Sequence, residues 1–177
     1  CACAVCKERI YQLKNNIDMK NEQSNTNEKG MAYDRMLCAA FPGTGKSYYC
    51  SNGNWSQYVP DGFCCDSDSS KFDKSNFPQN YIEHIKQRIA DGYARIFISS
   101  HKEVRDALVA NGLDFTLIYP DKSLKEEYIN RYKERGNSDQ FIALLEKNWE
   151  NWIDECKAQT GRKHIVLSSG QFVANVV

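Results

Sequence analysis

RMLCAAFPGTGKS, residues 35–47, runs from a short apolar segment into glycine-bearing turns and ends on a lysine and a serine. The apolar part suits a buried strand, and Pro42 with Gly43 closes it. A helix is expected to follow. Between the two lies AFPGTGKS, Ala40 to Ser47, a phosphate-cradle pattern with Ala40 where the usual first glycine stands. Gly43 and Gly45 let the backbone curl with its N–H groups inward and no Cβ in the way. Those donors and the positive end of the following helix form a nest for phosphate oxygens. Gly43, Thr44, Gly45, Lys46, Ser47 and Tyr48 are therefore the candidate nucleotide contacts. Lys46 is expected to reach the β- and γ-phosphates, and Ser47 to ligate a magnesium ion.

Working outward, strands and helices alternate from Met31 to the end. GFCCD (62–66) is a weaker second strand, and a helix from about Pro78 carries Ile82, Ile85 and Ile89 on one face. ARIFISS is a third strand, followed by a helix with Val104, Ala107 and Leu108 that ends at Asn111-Gly112. DFTLIY is a fourth strand. A charged helix follows from about Leu124 to Arg135, then a longer one from Ser138 or Asp139. The longer helix is expected to face the core with Phe141, Leu144, Leu145, Trp149, Trp152 and Cys156. HIVL closes the series. Such alternation implies an α/β fold: a five-stranded parallel sheet with helices on both faces.

Composition narrows the function. The 177 residues carry 23 basic and 23 acidic side chains, so sequence-independent binding to nucleic acid is not expected. With 41% hydrophobic residues the chain can build a core. No run approaches the roughly 20 apolar residues of a membrane span, and no basic-then-apolar start marks secretion. Residues 1–30 read as a flexible polar leader before a domain over 31–177, with a short helix bearing Ile10, Leu13 and Ile17. Eight cysteines are many, but their spread does not read as a disulfide framework. Cys1, Cys3 and Cys6 lack the second ligand pair of a zinc site. A nucleotide-dependent protein without disulfides is expected in the cytoplasm.

Three further clusters carry candidate chemistry. CCDSDSSKF puts Asp66 and Asp68 at the carboxyl end of the second strand, where parallel sheets hold ligands. A carboxylate there can take the proton of an attacking hydroxyl or hold water on the metal. Two residues apart, the pair faces opposite ways unless a loop turns both inward. The third strand ends in Ser99, Ser100 and His101, where His101 can donate to a phosphate beside Arg105, one helical turn on. In LKEEYINRYKERG, Arg131 and Arg135 share a helix face, and their planar forks suit phosphate oxygens. The alternative is a solvated face on which Glu127 pairs with Arg131.

From Met31 onward the chain resembles a compact P-loop kinase of the nucleoside and nucleotide kinase group, which includes adenylate and shikimate kinases, and small phage-type members most of all. The resemblance is specific at the Walker A cradle and looser elsewhere. It implies a three-layer P-loop NTPase fold with strand order 2-3-1-4-5, and an arginine-bearing lid formed by Arg131 and Arg135. It assigns Asp66 to the acceptor hydroxyl and leaves Asp68 for the metal. Ser168 to Gly170 would border the adenine. Aromatics such as Tyr48, Tyr49, Phe72, Phe77 and Tyr81 belong to an acceptor pocket or to the core. One departure stands out: many relatives carry an aspartate where this chain has Ser99 and Ser100. Either those hydroxyls take its place or the acidic role moves to Asp66 or Asp68. The expected function is ATP- and magnesium-dependent phosphoryl transfer to a nucleoside or nucleoside monophosphate. A polynucleotide 5′-hydroxyl kinase and a nucleotide-binding regulatory module are the alternatives.

Overall fold

Side chains alternate across a strand, so a strand apolar on both faces needs cover on both. The segment Met36–Ala40 meets that condition and forms the central strand, β1. Four more strands pair parallel with it or with its neighbours: β2 (Cys64–Asp66), β3 (Arg95–Ser99), β4 (Thr116–Pro120) and β5 (Lys163–Leu167). Across the sheet they run β2-β3-β1-β4-β5. These features come from a computed structural model, which describes residues 25–26, 32–33, 35–52 and 64–177.

The helices are α1 (Lys46–Asn52), α2 (Gln79–Ala90), α3 (Lys102–Ala110), α4 (Lys125–Glu134) and α5 (Asp139–Lys157). Their distribution over the two faces is uneven. Leu37 and Ala39 of β1 join a core with side chains of α2, α3, α4 and α5. Cys38 and Ala40 point the other way, into a smaller cluster with Tyr49 of α1 and Val173 near the C-terminus. Ser138 caps α5 by accepting from the Phe141 N–H, 3.3 Å. The buried stripe of α5 is Ile142, Leu145, Trp149, Ile153 and Cys156, whereas Leu144, expected inside, is 50% exposed. Within that stripe Trp149 packs edge-on against Phe41 at 5.6 Å.

The chain divides into two units, Cys1–Arg35 and Met36–Val177. In the first, Asn25–Thr26 pairs antiparallel with Ala32–Tyr33. The helix expected around Ile10 to Ile17 and the cysteines Cys1, Cys3 and Cys6 lie outside the described residues. Among the described residues no helix is long and apolar enough to cross a membrane. From β1 the chain visits β2 and β3 on one side, then crosses to β4 and β5 on the other. The order thus reverses at β1, and ligands of open parallel sheets sit at the carboxyl end of such a point.

Candidate functional site

The loop leaving β1 occupies that point. Gly43 (φ 77°) and Gly45 (φ 88°) take left-handed conformations that side chains rarely adopt. Buried Thr44 fixes the curl, its Oγ1 donating to the Phe41 carbonyl at 2.7 Å. The Tyr49 N–H donates to the Gly45 carbonyl at 2.9 Å, so α1 begins directly from the loop. The N–H groups of its first turn have no acceptor within the helix. Lys46 folds across the loop, its Nζ donating to the carbonyls of Ala40 (2.8 Å) and Phe41 (3.1 Å). Burial lowers its pKa to about 8, against the pull of Asp66 and Asp68, and nearby Arg135 pushes the same way as burial.

The acidic side is built by β2 and the segment after it. Ser47 Oγ donates to Asp66 Oδ2 at 2.5 Å. Asp68 instead caps the short 3-10 turn Ser69–Lys71, accepting from the Ser70 N–H at 2.9 Å. Burial would raise the Asp68 pKa, but the hydrogen bonds from Ser70 and the charges of Lys71 and Lys46 leave it below the usual range. Tyr81 ties the strand ends together. Its hydroxyl donates to the Ser67 carbonyl (2.6 Å) and accepts from the Ser99 N–H (3.1 Å). Ser99 Oγ lies 2.7 Å from His101 Nδ1. The His101 pKa is lowered, by burial first and then by Lys74 and Lys46. Among the described residues no group of three or more His, Cys, Asp or Glu side chains is placed to hold a metal. One hydroxyl beside one carboxylate still suits magnesium, which takes most of its ligands from phosphate and water.

No protein-family model and no curated protein sequence matches this chain.

A disulfide joins Cys50 of α1 to Cys64 of β2, Cα–Cα 5.3 Å, which corrects the expectation that the chain carries none. The two cysteines are 14 residues apart, and nothing in their spacing shows that α1 lies against β2. Arg105 also differs from its expected place beside a phosphate. It is 2% exposed, and donates to the Ser100 carbonyl (2.9 Å), the Glu155 carbonyl (3.3 Å) and Gln159 Oε1 (2.6 Å). It is a buried brace between α3 and α5.

Arg131 of α4 and Arg135, the residue that caps its C-terminus, have separate surroundings. Arg131 pairs with Glu127 at 2.5 Å, donates to the Gly43 carbonyl at 3.4 Å and to the Gln171 carbonyl at 3.2 Å. Its guanidinium lies between the rings of Tyr128 (4.5 Å) and Phe172 (4.0 Å). Arg135 is exposed and acts on the Lys46 charge. Tyr132 packs over Gly43, and Phe172 over Gly45. Neither was singled out from the sequence, because each reaches the cradle from a distant element. Of the other aromatics, Tyr49 and Tyr81 are buried, while Tyr48 stands 70% exposed on α1. Beside Pro42 a cleft of about 190 Å³ opens between α3 and α5, lined by His101, Trp152 and Glu155 among others.

Proposed function

We propose that this chain is a P-loop kinase that transfers the γ-phosphoryl group of ATP to a small acceptor, a nucleoside or nucleoside monophosphate. The observation that carries the reading is the glycine-turned loop between β1 and α1, with Lys46 folded into its mouth and Ser47 bonded to Asp66. Gly43 to Ser47 present backbone donors to the phosphates, and Lys46 exchanges its two carbonyl acceptors for phosphate oxygens. Magnesium would be held by Ser47 with Asp66 behind it, and supplies neutralisation of the phosphate charge when bound. The Ser47–Asp66 contact favours exchanging the roles expected of the two carboxylates. Asp66 then serves the metal side, and Asp68, at the same mouth, faces the acceptor hydroxyl. Arg135 closes the charge balance from α4. Because phosphoryl transfer has a loose transition state, positioning and neutralisation carry most of the catalysis.

The fold this reading assigns is the three-layer P-loop NTPase fold. The small cleft beside Pro42 and the even charge balance favour a small acceptor over a polynucleotide. A nucleotide-binding module with little turnover is the second reading, favoured by the absence of a carboxylate at the end of β3. Labelled ATP offered with nucleosides, monophosphates and a 5′-hydroxyl oligonucleotide separates them. Transfer to a nucleoside or monophosphate is expected. Transfer to the oligonucleotide alone, or binding without transfer, would replace the proposal with its rival.

A further inference from the structure

Three donors converge on one carboxylate, one from the next turn of its own helix and two from a distant segment. Glu127 of α4 accepts from the Gly170 N–H (3.0 Å), Ser169 Oγ (2.8 Å) and Arg131 Nη2 (2.5 Å). Through Arg131 it also reaches the Gly43 and Gln171 carbonyls. The segment it grips continues into Phe172, whose ring lies 3.0 Å from where a Gly45 Cβ would stand. The next residue, Val173, donates its N–H to the Thr44 carbonyl at 2.9 Å. The loop after β5 is thus pressed on the cradle from one side, and α4 holds it from the other. Glu127 and Arg131 are both half-buried, with side chains 26% and 13% exposed. Removing the acid would leave a half-buried guanidinium without its counter-charge.

We propose that Glu127 is a positioning residue of the nucleotide site, a latch that fixes the shape of the cradle without touching the nucleotide. This rests on the cradle being a phosphate site. The latch acts through two arms. Arg131 holds the Gly43 carbonyl, and the Ser168–Phe172 loop, seated by its bonds to Glu127, covers Gly45 and Thr44. The Glu127–Arg131 pair, which in the sequence looks like an ordinary i, i+4 surface pair, is then part of the binding geometry.

The test is calorimetric titration of the full chain with magnesium ATP, combined with amide hydrogen exchange. Glu127→Ala should weaken binding on the order of 10- to 100-fold, the range for losing charge-assisted hydrogen bonds. It should raise KM for ATP more than it lowers kcat. Glu127→Gln keeps one acceptor for the Gly170 N–H but loses the charge, so it should fall between. Arg131→Ala should cost a similar factor, and the double variant little more than either single one, because both break the same latch. Exchange should quicken together in residues 41–47 and 168–173 of the Glu127 variants, with or without nucleotide. A folded Glu127→Gln and Glu127→Ala pair with wild-type affinity would overturn the proposal, as would fully additive losses. Wild-type protein that binds no ATP yet shows the coupled exchange would instead overturn the phosphate reading, and the nucleotide role of Glu127 with it.

Discussion

Gly43→Ala should be among the most damaging single-methyl additions in this protein. Two costs add. At φ 77° an L side chain sits in the left-handed region, which costs about 1–2 kcal/mol. The new Cβ would also stand 2.7 Å from the Tyr132 hydroxyl, 2.9 Å from its Cζ and 3.3 Å from Tyr128 Cδ1. Tyr132 is 1% exposed, with Phe141 packed edge-on at 5.2 Å, so its ring cannot swing away cheaply. Overpacking of this kind costs about 1–3 kcal/mol. Together the loss is about 2–5 kcal/mol, or roughly 4–20 °C at the 2–4 °C per kcal/mol usual for a chain of this size. Gly112→Ala isolates the backbone cost, because its φ is 65° and nothing lies within 4 Å of its added Cβ. Tyr132→Phe isolates the hydroxyl, which is buried without a hydrogen-bond partner, so its loss alone should cost little. In the double variant it removes the 2.7 Å contact but leaves the ring. Thermal and urea unfolding of the four variants would read the cycle. If Gly43→Ala melts no lower than Gly112→Ala, Tyr132 is not seated on the cradle and the packing argument fails.

Reducing the Cys50–Cys64 bond should expose two more titratable thiols and lower stability by about 3 kcal/mol, the loop-closure value for some 15 residues; an unchanged unfolding midpoint after dithiol treatment would count against it. For Lys46 the sign follows from a depressed pKa. Its burial penalty is full below about pH 8 and is relieved as pH rises toward 10.5, while ATP affinity falls over that same window as the ammonium is lost. Proton uptake on ATP binding near pH 9, read by calorimetry in buffers of different ionisation heat, checks this; no uptake would mean Lys46 stays charged. Arg135→Ala should lower kcat on the order of 10²-fold with a smaller change in KM for ATP, and Arg135→Lys should restore part of it. Steady-state kinetics decide, and an unchanged kcat would return Arg135 to the solvent-exposed face.

Local patterning was enough to read the α/β alternation and all five strands of the parallel sheet, because each strand is a short apolar run closed by glycine, proline or a capping residue. The face of α5 was less legible. Positions 141, 144, 145, 149, 152 and 156 make as good a helical stripe as 142, 145, 149, 153 and 156. The helix buries the second set, with Phe141 and Trp152 of the first packed at the core's edge and only Leu144 exposed, and the contacts of Trp149 with Phe41 and Tyr128 depend on partners more than 20 residues away. At the site, the cradle was readable because glycine spacing and lysine position act locally. Arg105 was not. A helix-face argument puts it beside His101, whereas the carbonyl of Glu155 and the side chain of Gln159 draw it under α5. Glu127 was visible only as a possible partner for Arg131, since its bonds to Ser169 and Gly170 span more than 40 residues.

The carboxylate beside Ser47 comes from β2 because of the way α1 lies against that strand. Ser99, at the end of β3, already has its N–H taken by Tyr81 and its hydroxyl by His101. β2 is an edge strand, one place further from β1 than β3 is. Here two successive same-face residues of β2 both meet α1: Cys64 is bonded to Cys50, and Asp66 accepts from Ser47. Moving from Cys50 back to Ser47 covers three helical residues, about 4.5 Å, while Cys64 to Asp66 covers two strand residues, about 6.6 Å. The helix and the strand therefore run side by side over that distance, and the disulfide anchors one end of the contact whose other end is the serine–aspartate pair. An aspartate on the outer strand thus meets Ser47 on the same stretch of α1 that carries the crosslink. The acidic group and the covalent bond are two rungs of one ladder, so displacing either rung should be felt at the other.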